Sequence, residues 1–345
     1  MTEPVLTIVV PCYNEEAVLK DTISQLQDLL VKMIEDSIVD ENSKILFVDD
    51  GSKDKTWSII EKASLQFNYV RGLKLSRNVG HQNALLAGLF SAKDVSDCVI
   101  SIDADLQDDI SVIPLFIEKF IEGNEIVYGV RNRRDSDTFF KRKSAELFYS
   151  VMKKMGVDLI FNHADFRLMS KRAIEELERF DEANLFLRGI IPLIGFPSAV
   201  VHYDRKKRMA GETKYPLKKM IAFAFDGISS FSVTPIRLVL FIGMVSFFVS
   251  LLFGAYFLFL KFTGHTATGW TSLITSIWLI GGLQLIAIGL VGEYIGKVYK
   301  ETKRRPKFIV EYDSFAIQKT ISARQLQMKE DELYSIVSSK IPESN

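Results

Sequence analysis

The chain has 345 residues, with 43 basic and 43 acidic side chains and a formal charge of zero. That length holds one sizeable domain with an appendage, or two small domains. The charge balance excludes a global field that would draw the chain to nucleic acid or an anionic surface, so any attraction for phosphate must be local.

Met1–Pro4 has neither a basic region nor an apolar run of signal-peptide length, which predicts a protein that begins folding in the cytosol. Short β-branched runs then recur at Leu6–Val10, Lys44–Val48, Val70–Leu75, Cys98–Ile102 and Ile126–Val130. Helical periodicity fills the gaps. Leu19, Ile23, Leu26, Leu30, Met33 and Ile34 form one stripe, and Trp57–Leu65, Gln82–Phe90 and Val112–Ile121 follow. This alternation predicts a mostly parallel sheet covered by helices on both faces, with ligands at the carboxyl edge of its strands. Cys12 and Cys98 lie in or beside the strand runs, lack a CxxC partner, and read as buried reduced thiols.

Two basic-apolar stretches, Phe139–Met155 and Tyr215–Phe231, read as amphipathic helices suited to the headgroup plane, with ordinary surface helices as the alternative. Ile236–Leu260 and Thr271–Ile295 are each long enough to cross a hydrocarbon core about 30 Å thick. Lys214, Lys218, Lys219 and Arg237 precede this hairpin, and Lys297, Lys300, Lys303, Arg304, Arg305 and Lys307 follow it. The short connecting loop is poor in cations, so both outer ends are expected in the cytosol. The expected divisions are residues 1–214, a catalytic domain; 215–234, an interfacial helix; 235–296, the hairpin; and 297–345, a basic juxtamembrane segment and polar tail. No chemistry is assigned to the tail.

Four polar loops follow the strands: Pro11-Cys12-Tyr13-Asn14-Glu15-Glu16, Asp49-Asp50-Gly51-Ser52, Ser76-Arg77-Asn78-Val79-Gly80-His81, and Asp103-Ala104-Asp105-Leu106-Gln107-Asp108. Pro11 is expected to stop its strand, and Asp54 to cap the following helix. One acidic loop beside a strand is usually a turn or a cap. Four at one edge would concentrate negative charge that folding alone disfavours, and a divalent cation resolves the conflict. Asp103 and Asp105, two apart on an extended strand end, would face one side and serve one hard metal that clamps a diphosphate.

These four motifs together resemble the inverting family 2 glycosyltransferases, and among them the polyprenyl-phosphate type of bactoprenol glucosyltransferase and dolichyl-phosphate mannose synthase. The resemblance spans residues 5–312. It implies a Rossmann-like nucleotide-sugar fold of the GT-A type, with Pro11, Tyr13, Glu15, Asp49 and Asp50 holding the nucleoside. Asp103 and Asp105 would bind Mg²⁺ or Mn²⁺ on the diphosphate, with Gln107 nearby. Arg208-Met209-Ala210-Gly211-Glu212-Thr213-Lys214-Tyr215 is similar to an RxxGxSKY segment of the family, with Thr213 keeping the hydroxyl. Arg131, Arg142, Arg208 and Lys214 are thereby implied at the lipid phosphate and the departing diphosphate. Asp165 matches a recurrent acid near the sugar, as a base or a positioning group. A phosphate monoester, mostly ionised at neutral pH, needs no strong base.

The expected reaction moves a hexose, UDP-glucose being favoured as donor, to a polyprenyl phosphate such as undecaprenyl phosphate, with inversion, at the cytosolic face of a membrane. Mannose or a modified sugar such as formamido-arabinose stands as an alternative. So do transfer to a glycolipid or protein hydroxyl, and a scaffold that binds nucleotide-sugar without turnover. A processive synthase would need a QxxRW motif, which does not occur. Neither GxGxxG nor GxxxxGK occurs either. The family suggests a homo-oligomer. The four histidines have no metal spacing, although His81 lies near enough to the site to meet a ligand.

Overall fold

The computed structural model describes residues 3–132, 163–182, 187–204, 234–263 and 269–315. Its eight-stranded sheet has the spatial order β7-β5-β6-β4-β1-β2-β3-β8. The strands are β1 Leu6–Cys12, β2 Lys44–Asp49, β3 Val70–Leu75, β4 Cys98–Ser101, β5 Ile126–Arg131, β6 His163–Ser170, β7 Ser198–Tyr203 and β8 Val310–Asp313. β6 and β8 run against the rest, so the sheet is mixed with a parallel centre. The centre obeys the expectation. The chain reverses its direction of travel across the sheet at β1, which puts a crevice at the carboxyl ends of β1, β2 and β4.

The first helices are α1 Leu19–Glu35, α2 Thr56–Gln66, α3 His81–Ala92 and α4 Ile113–Ile121; α5 Lys171–Glu178 and α6 Leu187–Leu193 follow β6. Alternate side chains of each central strand serve opposite faces. Leu6, Ile8 and Val10 of β1 join Leu26 and Leu30 of α1 and Phe116 of α4 in one core. Val9 joins Leu85 and Leu89 of α3 and Ile190 of α6 in the other. Burial on both faces explains why these strands read as unbroken apolar runs. Each such side chain contributes on the order of 2 kcal/mol.

Pro11 does not end β1. The strand continues to Cys12, in register with Asp49 of β2. On the other side, pairing with β4 stops at Val9 and Ser101. The Val9 carbonyl accepts from Ile102 on that side, whereas the Cys12 carbonyl accepts from Asp50 on the β2 side. By alternation the missing N–H of Pro11 faces the side where the ladder has already ended, so nothing is lost. β4 likewise closes at Ser101, and Asp103 and Asp105 lie in a turn beyond it rather than on an extended strand end.

Beyond β7, α7 (Thr234–Phe262) and α8 (Trp270–Thr302) pack on each other. Phe241, Phe248 and Leu252 on α7, and Ile277, Leu285 and Ile288 on α8, are exposed. Among the described residues one stretch, Leu279–Thr302, is long and apolar enough to cross a membrane. The chain then returns to the sheet as β8, antiparallel to β3, a strand the sequence does not announce. Lys74 pairs with Glu311 at 2.8 Å, Trp57 meets the Tyr312 ring edge-on at 5.5 Å, and Ser91 donates to Asp313 at 2.8 Å.

Candidate active site

The loops at the carboxyl edge are stitched together by backbone polar groups. After β1, Asn14 takes a φ of 54°. Its amide donates to Ser52 Oγ at 3.0 Å, and its side-chain oxygen accepts from the Lys53 amide at 2.9 Å. The Glu15 amide donates to Thr56 Oγ1 at 2.9 Å. Asp54 accepts from the Thr56 amide at 3.0 Å, satisfying a donor in the first turn of α2. Tyr13 stands exposed at the rim and Glu15 is half-buried beside it.

Asp50 ties the second loop to the third. Its buried carboxylate accepts from the amides of Val79 at 2.7 Å and Gly80 at 3.0 Å. Gly51 makes this crossing possible: at φ 65° it lies so close that a Cβ would stand 2.5 Å from the Arg77 carbonyl carbon. Asp49 is fully buried, with one oxygen accepting from the Ser52 amide at 3.3 Å and the other unpartnered among the described residues. Burial pushes both carboxyls above the usual range, opposed at Asp50 by the two amides.

The fourth loop is anchored from α1, where Thr22 Oγ1 donates to the Ala104 carbonyl at 2.6 Å. Leu106 takes a φ of 43°, and Gln107 folds back so that its amide and Nε2 donate to Asp105 at 3.3 and 2.8 Å. Asp103 stays 42% exposed, with His81 Nε2 at 3.6 Å. Desolvation raises the Asp103 carboxyl and the charges of Asp165, Asp108 and Asp105 add to it, against His81.

His81 opens α3 and reaches Asp165 Oδ2 at 3.6 Å as well. Burial alone would lower its pKa, but the bond to Asp165 and the charges of Asp103 and Asp165 outweigh it and raise it. Asp165 lies on β6, whose carbonyl there accepts from the Ser101 hydroxyl. Its carboxylate pairs with Arg167, and with Arg188 of α6 at 3.3 Å. Gln82 positions that helix by accepting from the Leu187 amide at 3.0 Å. Desolvation would raise the Asp165 carboxyl, yet Arg188, His81 and Arg167 hold it well below the usual carboxylate range.

Arg131 closes β5 and meets Asp108, whose Oδ1 accepts from Nη2 at 3.0 Å, from Nε at 3.2 Å and from the Tyr203 hydroxyl at 2.8 Å. Burial works against the Arg131 charge, and Asp108 and Tyr203 more than restore it.

The structure thus gathers Asp49, Asp50, Asp103, Asp105, Gln107, Asp165 and Arg131 at one sheet edge, with Pro11, Tyr13 and Glu15 beside them. Arg142, Arg208 and Lys214, and the stretches Phe139–Met155 and Tyr215–Phe231, lie outside the described residues. Sequence reasoning missed Arg167, Arg188, Asp108 and Tyr203. A charged Arg167 between the apolar Phe166 and Leu168 was the available signal, because a strand buried on both faces admits a cation only opposite an anion.

Among the described residues no three or more His, Cys, Asp or Glu side chains gather as a protein-made metal cage. The donors at hand are two carboxylates, Asp103 and Asp105. That set fits a hard cation that completes its shell with substrate phosphate and water.

The glycosyl transferase family 2 model matches residues 7–178, the stretch that carries all four loops and Asp165. Over 334 residues, 97% of this chain and 99% of its own, the uncharacterized glycosyltransferase YkoT of Bacillus subtilis (strain 168) is 59% identical. A prophage bactoprenol glucosyl transferase homolog of Escherichia coli (strain K12) is 40% identical over 88% of this chain and 98% of its own. The bactoprenol glucosyl transferase of Shigella phage SfV is 41% identical over 88% of this chain and 97% of its own. The chain belongs to glycosyl transferase family 2 and is a glycosyltransferase.

Proposed function

We propose that this enzyme moves a hexose, glucose first among candidates, from a nucleotide-sugar to a polyprenyl phosphate at a membrane surface. One observation carries the reading. The acidic loops, Asp165 and the cation Arg131 converge on a single edge of the sheet, in a chain that also carries two long helices with exposed apolar side chains. The relatives named bactoprenol glucosyl transferase support the same acceptor and sugar.

In this reading Pro11, Tyr13, Glu15, Asp49 and Asp50 hold the nucleoside. Asp103 and Asp105 would hold Mg²⁺ or Mn²⁺, with Gln107 fixing the orientation of Asp105. When bound, that cation neutralises the departing diphosphate. Arg131, with Arg142, Arg208 and Lys214, would receive the lipid phosphate. A phosphate oxygen attacks the anomeric carbon as the bond to the diphosphate breaks, and configuration inverts.

Asp165 is assigned as a positioning group. A carboxylate held by Arg167, Arg188 and His81 has little affinity for a proton, and the ionised acceptor has none to give. Its work is to fix those cations and sugar hydroxyls around the donor.

α7 and α8 would form a two-span hairpin with both ends in the cytosol. Apolar side chains exposed on all sides of a helix call for lipid or a partner, and the cations from Lys297 to Lys307 mark the cytosolic end. The test is to offer the detergent-purified enzyme undecaprenyl phosphate with a panel of nucleotide-sugars. Glycolipid from one donor supports the assignment. Transfer to a soluble hydroxyl compound in preference to the lipid would refute it.

A further inference from the structure

Among the described residues, Arg131 is gripped from one side. Its hydrogen bonds to described residues all use Nε and Nη2: to Asp108 Oδ1 at 3.2 and 3.0 Å, and from Nε to the Tyr203 hydroxyl at 3.3 Å. A guanidinium has five N–H donors and two edges that can each meet an oxyanion. Asp108 and Tyr203 occupy the side edge, which leaves the terminal edge, bearing one proton of Nη1 and one of Nη2, directed away from them. The Arg131 side chain is 26% exposed, while that of Asp108 is 2% exposed. The anion is sunk and the cation stays partly exposed.

The holder is rigid. The Tyr203 ring packs edge-on against Phe166 at 5.3 Å, and Phe166 packs on Phe116 of α4 at 4.7 Å. Tyr203 pairs with Arg131 itself in the β5–β7 ladder. Asp108 also stands three positions beyond Asp105, on the loop of the donor carboxylates. One buried residue thus joins the donor loop to the cation of the opposite subsite.

We infer that Asp108 and Tyr203 are positioning residues, which hold the Arg131 guanidinium side-on so that its terminal edge receives the phosphate of the acceptor. The inference rests on the lipid-phosphate reading above. It explains a carboxylate set against a phosphate-binding arginine. The carboxylate fixes the fork in advance, so less conformational entropy is lost when the phosphate arrives.

The test measures KM for undecaprenyl phosphate and for UDP-glucose separately, in wild type, Asp108→Asn, Tyr203→Phe, Arg131→Ala and the double variant Asp108→Asn with Arg131→Ala. Tyr203→Phe keeps the ring packing and removes only the hydroxyl, so it guards against a loss of fold in the aspartate variant. The inference predicts that lipid KM rises about tenfold or more in Asp108→Asn and less in Tyr203→Phe. Donor KM stays within twofold in both. The double variant is no worse than Arg131→Ala, because Asp108 acts through that arginine. Full additivity, or a rise in donor KM with lipid KM unchanged, overturns the inference. A wild-type enzyme that makes no glycolipid overturns the functional reading and this inference with it; glycolipid from wild type with unaltered lipid KM in Asp108→Asn overturns this inference alone.

Discussion

Asp165 and Arg167 sit two positions apart on β6 and form an ion pair in which the arginine is 1% exposed and the carboxylate 20%. Arg167 Nε and Nη1 have no partner among the described residues, so the carboxylate is the main compensation for a buried charge. Removing one member of such a pair costs about 3–5 kcal/mol, because the other stays buried and unpaired. Asp165→Ala is therefore expected to lower the melting temperature by several degrees as well as to abolish transfer, whereas Asp165→Ala with Arg167→Met recovers stability without activity. Thermal unfolding followed beside activity separates the two.

The same pair fixes a pH dependence. The folded pKa of Asp165 is depressed, so its contribution to stability is present above the unfolded value of about 3.9 and is lost as pH falls through the folded one. Denaturation in acid should therefore begin below pH ~4 on account of this group, and Asp165→Asn should flatten that limb. In turnover, the acid limb should instead lie near pH 6, at the second ionisation of the acceptor phosphate. Residual activity of Asp165→Asn should keep that limb at the same pH. A limb that vanishes in the variant would give Asp165 the role of base.

Asp103 has the opposite sign. Its folded pKa is raised, so the stabilising effect belongs to the protonated form and is lost as pH rises through that value. At pH 7 without divalent cation, Asp103→Asn should melt at or above the wild-type temperature, while its transfer activity is lost. A lower melting temperature would mean that Asp103 stabilises the fold rather than serving the ligand.

Gly51 faces the third loop at van der Waals limits. Gly51→Ala places a methyl group 2.5 Å from backbone carbon at a φ of 65°, so the 77–80 loop must retreat and Asp50 must lose its amides. Nucleotide-sugar affinity, read by isothermal titration, should fall at least tenfold, on the order of the two charge-assisted bonds involved.

The parallel centre of the sheet was legible because Leu6–Val10 and Lys44–Val48 must be apolar on both faces, and the acidic loops because Asp49 and Asp50 follow the run of β2 while Asp103 and Asp105 follow that of β4. Other elements left fainter marks. β6 alternates Asp165 and Arg167 with Phe166 and Leu168, and its polar members become interpretable only when Arg188 and His81 arrive from other parts of the chain. β8 is four residues with two acids, a pattern suited to an edge strand and indistinguishable in sequence from a loop. The helical stretch expected from Gln82 opens one residue earlier, at His81, and the meeting of that residue with both Asp103 and Asp165 is a product of topology, since β6 inserts beside β4.

The most direct measurement follows radiolabelled sugar from UDP-glucose into the organic phase, with undecaprenyl phosphate present or withheld and with EDTA or Mg²⁺ added. Label should enter the lipid fraction only when lipid phosphate and the cation are both supplied. Equal incorporation in EDTA, or nucleotide released at one rate whether or not lipid is present, would contradict the claim that this carboxylate-lined edge joins a donor diphosphate to a lipid phosphate.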